Sequence, residues 1–182
     1  MWRATFAQLK TDSWLDILHI MKFAIQPISQ QDANDITSWR YESPYSIYNL
    51  SEKDIPALLD SDNQYFAVKD ESSQTIGFCC FGKEAKVPGG KYNDAKPLVI
   101  DLGLGMHPGM VGRGFGGPFT DVILRFAIEE FNPGRFRVSI AEFNKRSQRT
   151  FLKLGFIEKY RFNRDGDGMR FVQLEREANR SR

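Results

Sequence analysis

The sequence contains little cysteine and little histidine, with two of each among its 182 residues. Cys79 and Cys80 are adjacent. Neighbouring side chains of a strand point to opposite faces, so we expect no disulfide between them. The two cysteines also match no zinc-ligand spacing with His19 or His107. We therefore expect a reduced, cytoplasmic protein without a metal site.

Long apolar runs and a large excess of one charge are also missing. No stretch is long enough to cross a membrane. Charged residues at Lys10, Asp12 and Asp16 interrupt the region where a signal peptide would have its apolar core. The net charge of +2 is small for this length, which argues against nucleic acid as a partner. These features favour a globular protein that binds neither a membrane nor a nucleic acid.

The length and an ordinary composition, 41% hydrophobic and 26% charged, predict a single domain. Met21 begins a segment that reads as a natural start followed by a strand. We therefore assign the domain to residues 21–182 and interpret residues 1–20 as an upstream or artificial extension. The alternative is an amphipathic helix with Trp14, Ile17 and Leu18 on one face.

Apolar periodicity and turn signals predict an α+β fold. The predicted strands are 22–28, 64–70, 74–82, 97–107, 135–143, 156–163 and 168–176. The predicted helices are 30–39, 51–59, 119–131 and 144–155. A strand, a glycine turn, a helix and a strand form a right-handed crossover, so 98–106 and 135–141 should lie parallel. Hairpins imply antiparallel neighbours elsewhere, giving a mixed, mostly antiparallel sheet with helices on both faces.

A glycine-rich turn lies between the predicted strand 97–107 and the next helix. It consists of Val111, Gly112, Arg113, Gly114, Phe115, Gly116 and Gly117. Glycines let the backbone approach a ligand closely, and the free N–H groups at a helix start favour an anion. Arg113 can add charge-assisted bonds. The turn therefore predicts a diphosphate site, with the helix beginning near Gly114 or Phe115 so that Pro118 falls in its first turn.

Other interpretations of this turn remain. A Walker loop needs Lys-Ser/Thr after the last glycine, where this chain has Gly117-Pro118. Gly112, Gly114 and Gly117 have the spacing of a dinucleotide-binding fingerprint, but no alternating strands and helices follow. A turn that needs glycine for packing alone is also open.

Segment 98–156 resembles the GNAT superfamily of N-acetyltransferases. Residues 111–116 match its acetyl-CoA signature, Gln/Arg-x-x-Gly-x-Gly/Ala, at both glycines, and depart from it at Val111. Residues 144–156 resemble the second motif, N-x-x-A-x-x-x-Y-x-x-x-G-F, through Asn144, Gly155 and Phe156. Phe151 stands where the family has its tyrosine, the usual general acid.

The resemblance implies that the two parallel strands splay and that acetyl-CoA, the co-substrate, lies in the splay. Backbone groups near Leu104, Gly105 and Met106 would bind pantetheine and polarise the thioester. Asn144 would cap a helix, contact the coenzyme, or do both. Phe151 would pack against pantetheine or in the core, which leaves Tyr160 or a water to protonate the thiolate.

Two carboxylates are candidates for a general base, which is useful for an amine acceptor because the attacking amine must be neutral. Asp101 is the single charge in an apolar strand, and its alternative is a carboxylate at a strand edge or hydrogen-bonded to the backbone. Glu142 is the second candidate, with a solvated charge as its alternative. The acceptor wall would come from a loop whose aromatic residues could instead cover the core. It comprises Trp39, Arg40, Tyr41, Glu42 and Tyr45.

The sequence thus predicts transfer of an acetyl group from acetyl-CoA to a primary amine of a small molecule or protein, by direct attack in a ternary complex. A non-catalytic acyl-CoA-binding domain is the first alternative, supported by Phe151. A nucleotide-binding fragment and an interaction domain are less well supported. We expect a monomer or homodimer, and the sequence does not name the acceptor.

Overall fold

The computed structural model describes residues 23–92 and 98–178, which form a seven-stranded sheet with α-helices on both faces. The strands are β1 Ala24–Pro27, β2 Tyr65–Lys69, β3 Thr75–Phe81, β4 Val99–Met106, β5 Arg135–Ala141, β6 Ile157–Asn163 and β7 Arg170–Glu177. The α-helices are α1 Gln30–Ser38, α2 Ile55–Leu59, α3 Gly116–Phe131 and α4 Lys145–Lys153. The strand order is β1-β2-β3-β4-β5-β7-β6.

Within the described ranges, β4 and β5 are the parallel neighbours and every other pairing is antiparallel, which confirms the predicted fold class. Their shared register is short and runs from Val99 opposite Arg135 to Asp101 opposite Arg137. Beyond this point β4 continues beside β3, and β5 continues beside β7. The two central strands therefore part halfway along their length, as the resemblance implied.

The two faces of the sheet bury separate apolar clusters because side chains alternate along each strand. On β3, Cys79 and Phe81 belong to the larger cluster under α3 and α4. Phe78, which directly precedes Cys79, packs against the smaller cluster, which contains Trp39 and residues of α1 and α2. On α3, buried apolar side chains recur at helical spacing and include Phe119, Ile123, Leu124 and Ala127.

Three predicted helices begin and end within three residues of the observed ones, and the fourth, 51–59, starts as a 3₁₀ helix at Glu52–Asp54 before α2. Ser29 and Asp32 form a capping box at the start of α1. The Asn144 side chain accepts the Ser147 N–H at the start of α4, which confirms its assignment as a helix cap. α3 begins at Gly116, so Pro118 falls in its first turn as expected.

Residues 1–22 lie outside the described residues, so both interpretations of segment 1–20 stay predictions. Among the helices of residues 23–92 and 98–178, none is long and apolar enough to cross a membrane.

Candidate active site

The glycine turn has a backbone that favours glycine at two positions. Gly112 has φ +80° and Gly114 has φ +88°, in the left-handed region that L side chains rarely adopt. A Cβ added to Gly114 would meet nothing within 4 Å, so this side of the turn is open to a ligand. The first N–H groups of α3 follow directly and have no partner inside the helix. This geometry fits a diphosphate.

Two arginines border the turn, and only Arg113 belongs to the glycine-rich motif itself. Arg113 donates to the Gly109 carbonyl at 3.3 Å. Arg146, near the start of α4, places its Nη1 atom 3.8 Å from the Cβ position of Gly112. Helices that follow neighbouring parallel strands begin at the same edge of a sheet. That rule, applied to β4 and β5, would have drawn attention to Arg146.

The aromatic loop between α1 and α2 closes the edge where β4 and β5 have parted. The Tyr41 hydroxyl donates to the Met106 carbonyl at 2.8 Å, at the end of β4. The Tyr45 ring packs edge-on against Phe143, just beyond β5, with 5.6 Å between ring centroids. The loop therefore spans the opening between the two strands, which we call the mouth of the splay.

The predicted acceptor residues divide into two groups. Tyr41 and Tyr45 lie at the mouth. Trp39 is instead part of the smaller core cluster. The Arg40 guanidinium donates to the Thr37 and Trp39 carbonyls at 2.7 Å, at the end of α1. The contacts of Trp39 and Arg40 thus fit the structural alternative, while Glu42 is exposed beside Tyr41.

Burial controls the protonation of the tyrosines at the mouth. It raises the pKa of Tyr41 to about 12. It also raises the pKa of Tyr48, which lies against Phe143 and accepts a hydrogen bond of 3.4 Å from the Asn144 amide. A phenol with a pKa near 12 is a weak acid for a thiolate whose conjugate acid has a pKa of roughly 8.5. Tyr41 is therefore a hydrogen-bond donor rather than a proton source.

Asp101, the first candidate base, lies buried in an ion pair. Its Oδ1 accepts from Arg137 Nε at 2.6 Å, and its Oδ2 accepts from Arg137 Nη2 at 2.7 Å. Lys86 Nζ is 3.8 Å from Oδ2, and the Arg137 guanidinium lies 4.7 Å from the Tyr92 ring centroid. With both oxygens engaged, Asp101 resembles a structural carboxylate more than a base. Its role as a base stays a prediction that these contacts do not favour.

Glu142, the second candidate, is also paired. Its Oε1 accepts from Arg161 at 2.6 Å, and its Oε2 lies 3.0 Å from Arg170 Nε. Arginines of β6 and β7 therefore hold the side chain in ion pairs, which is neither a free base nor the solvated charge of the alternative.

The remaining predicted residues fall in distinct places. Phe151 is 3% exposed and packs edge-on against Phe156 in the larger core, at 5.0 Å between centroids. Its contacts thus fit the core alternative. The Tyr160 hydroxyl accepts the Lys91 N–H of the β3–β4 segment. Leu104, Gly105 and Met106 lie on the part of β4 that has left β5.

A groove between α3 and α4 extends from the glycine turn. Gly117 and Pro118 line it on one side, and Thr150 and Lys153 line it on the other. Asp121 and Arg125 also line the groove and form an ion pair with each other, so Lys153 gives the groove one net positive charge.

Comparison with known proteins agrees with this geometry. A family model described as an acetyltransferase (GNAT) domain matches residues 20–157. No curated protein sequence matches the chain. A GNAT-family acetyltransferase from Bacillus anthracis has a similar fold, with a TM-score of 0.66 at 14% identity over 86% of this chain and 95% of that one.

Two further solved structures share the fold. Spermidine N-acetyltransferase from Vibrio cholerae, in complex with CoA and spermine, superposes with a TM-score of 0.62 at 15% identity, over 86% of this chain and 95% of that one. A protein provisionally named phosphinothricin N-acetyltransferase superposes with a TM-score of 0.64 at 16% identity, over 87% of this chain and 100% of that one. The family match covers most of the chain and includes both the glycine turn and the splay. The chain belongs to the GNAT family of N-acetyltransferases, enzymes whose acetyl donor is acetyl-CoA.

Proposed function

We propose that this enzyme transfers the acetyl group of acetyl-CoA to a primary amine of a small molecule, by direct attack in a ternary complex. The observation that carries the proposal is the meeting of an open glycine turn and a strand splay at one edge of the sheet. The turn supplies N–H groups for the diphosphate, and the splay supplies a slot for pantetheine. The aromatic loop would then form the wall of the acceptor site at the mouth.

On the donor side, β4 offers backbone groups to the coenzyme. Beyond Asp101 the β5-facing edge of β4 is no longer part of the parallel ladder. Backbone groups near Leu104, Gly105 and Met106 are then in place to bind pantetheine amides and the thioester oxygen. The groove beside Lys153 would take the adenosine part of the coenzyme.

The reaction needs a neutral amine, because an ammonium has no lone pair to attack the thioester. The amine nitrogen bonds to the carbonyl carbon, the carbon–sulfur bond breaks, and the amine proton passes to solvent at the mouth. A thiolate with a pKa of roughly 8.5 for its conjugate acid leaves without an acid catalyst. This agrees with the apolar Phe151 at the position of the family tyrosine. Asp101 and Glu142 have no part in this scheme, because their oxygens are engaged by arginines.

On the acceptor side, Tyr41 and Tyr45 supply rigid rings with polar tips, and Glu42 supplies an exposed carboxylate for an ammonium. A small amine fits such a wall, and the spermidine N-acetyltransferase with the same fold acts on one. The phosphinothricin enzyme differs in its named substrate at similar identity, so an amine screen should include both polyamines and amino acids.

Calorimetric titration with acetyl-CoA tests the donor site. Gly114→Glu puts bulk and negative charge into the open side of the turn, and we expect it to weaken binding at least 100-fold, or about 2.7 kcal/mol. Gly166→Glu is the matched control in the β6–β7 turn. Gly166 also has a positive φ, +95°, and open space around an added Cβ, so both variants introduce a similar strain and the same charge.

Each outcome has a clear meaning. Loss of binding in Gly114→Glu alone supports the donor site. Equal affinity in the two variants, or no binding by the wild type, would contradict it. Release of CoA thiol in the presence of an amine separates the enzyme from the alternative, a non-catalytic acyl-CoA-binding domain, which Phe151 favours.

A further inference from the structure

The guanidinium of Arg146 has neighbours in two different parts of the candidate active site. Its Nη1 atom faces the glycine turn, 3.8 Å from the Cβ position of Gly112. Its Cζ atom lies 4.2 Å from the centroid of the Tyr45 ring, in the loop that would hold the acceptor. No carboxylate within the described ranges forms an ion pair with it. Arg146 is therefore a cation between the two substrate sites.

Stacking and hydrogen bonding use different parts of a guanidinium group. The flat face packs on an aromatic ring, while the N–H groups point outward in the plane. Arg146 can therefore keep its face on Tyr45 and donate its edge to a phosphate on the glycine turn. Charge-assisted bonds of this kind are short and strong, so a bound phosphate would restrict the arginine.

We infer that Arg146 couples the two substrate sites: the diphosphate of acetyl-CoA holds Arg146, and Arg146 holds Tyr45 in position at the mouth. This inference rests on the proposed function. Coenzyme binding then prepares the acceptor wall. By reciprocity, a contact that fixes Tyr45 strengthens coenzyme binding by the same factor.

A double-mutant cycle on CoA binding, measured by calorimetry, tests the coupling. The variants are Arg146→Ala, Tyr45→Ala and the double variant. We expect Arg146→Ala to raise the Kd for CoA about 10-fold, in the range of a lost charge-assisted bond. Tyr45→Ala should raise it about threefold, because the arginine is less well positioned. In the Arg146→Ala background, Tyr45→Ala should have no further effect.

Three control variants accompany the cycle: Lys53→Ala, Arg146→Lys, and Arg146→Lys combined with Tyr45→Ala. Lys53→Ala removes one exposed positive charge before α2, and we expect the wild-type Kd. Arg146→Lys retains the charge but has no planar face to stack. In this background the Kd should stay within about threefold of wild type, and Tyr45→Ala should have a smaller effect than in wild type, because lysine keeps a cation–π attraction but cannot stack.

The inference is overturned if Tyr45→Ala leaves CoA binding unchanged, if it weakens CoA binding equally with and without Arg146, or if Arg146→Ala matches Lys53→Ala. If the wild type binds CoA, none of these results contradicts the proposed function. If the wild type does not bind CoA, the proposed function fails and the coupling fails with it.

Discussion

The two ends of the β4–β5 pair differ in chemistry and in geometry. At the closed end, residues 99–101 of β4 pair with residues 135–137 of β5. The buried carboxylate of Asp101 meets the buried guanidinium of Arg137 where this pairing stops. At the open end, residues 102–106 of β4 have left β5, and this part of the strand carries Gly103 and Gly105. The aromatic loop, rather than a strand, spans the opening. One end therefore holds the strands together with charge, and the other leaves room between them.

This difference explains how an apolar strand can carry one charged residue. Asp101 and Arg137 are exact register partners in the last pair of the parallel ladder, and each side chain is almost fully buried. A buried charge without a partner is costly, so the pair favours this register over a slipped one. We therefore regard the ion pair as the point from which the splay opens.

Breaking the Asp101–Arg137 ion pair at the closed end should have the largest effect on the free energy of unfolding. Arg137→Ala leaves Asp101 buried without its bidentate partner, and we expect a loss of about 3–5 kcal/mol in unfolding free energy. Urea unfolding monitored by circular dichroism gives the value. Arg125→Ala is the control, because the Arg125–Asp121 pair is exposed and should contribute less than about 1 kcal/mol.

Replacing both members of the ion pair tests the same interpretation. Replacing Asp101 and Arg137 together, by Leu and Met, removes both charges and should cost much less than Arg137→Ala alone. If Arg137→Ala were no more damaging than Arg125→Ala, the ion pair would not hold the closed end.

The sequence predicted the closed and open ends unequally well. Strands, helices and caps came from local signals, such as the Ser29–Asp32 capping box and the apolar spacing of α3. The parallel crossover followed from chain order alone. The partner of Asp101 did not, because it lies 36 residues away and depends on the register between strands. A single charge in an apolar strand therefore suggested a base, and the sequence did not reveal the ion pair that engages both oxygens of Asp101.

At the open end, the glycine turn was predictable because its motif is contiguous. The contact of Arg146 with Tyr45 was not, because it depends on how the loop between α1 and α2 folds over the start of α4. The aromatic loop was only half predictable for a similar reason. Nothing in its sequence distinguishes Trp39, which enters the core, from Tyr41 and Tyr45, which stay at the mouth.

Tyr41 at the open end should make the free energy of unfolding depend on pH. The pKa of Tyr41 is about 12 in the folded protein, because of burial, and close to 10 when unfolded. Between these values the unfolded state binds fewer protons, so stability falls as pH rises from 10 to 12. The contribution of Tyr41 to this fall is about 2–3 kcal/mol.

Urea unfolding at several pH values between 9 and 12 measures this effect in wild type and in Tyr41→Phe. Tyr48 and Tyr92 also have raised pKa values through burial, so the variant should retain some slope. The difference between the two slopes isolates Tyr41. Identical slopes would show that Tyr41 ionises at its ordinary pKa, which would contradict a buried hydroxyl closing the mouth.

Phe151 offers the smallest expected effect on the reaction, and it tests whether the open end needs a proton donor. Phe151→Tyr restores the family's tyrosine, but the ring lies in the core against Phe156. A buried hydroxyl without a partner costs about 1–3 kcal/mol of stability. Because the thiolate leaves without help, we expect kcat to change by less than about threefold.

Phe156→Tyr is the matched control, since it buries a hydroxyl in the same pair of rings, where Phe156 is 2% exposed. Both variants should lower the melting temperature, and neither should raise kcat. A missing general acid is worth roughly 10²–10⁴ in rate, so even partial restoration would be visible in an assay of CoA thiol release. A tenfold rise in kcat for Phe151→Tyr alone would mean that thiolate protonation limits the rate. Phe151 would then mark the loss of a general acid, rather than a reaction that needs no general acid.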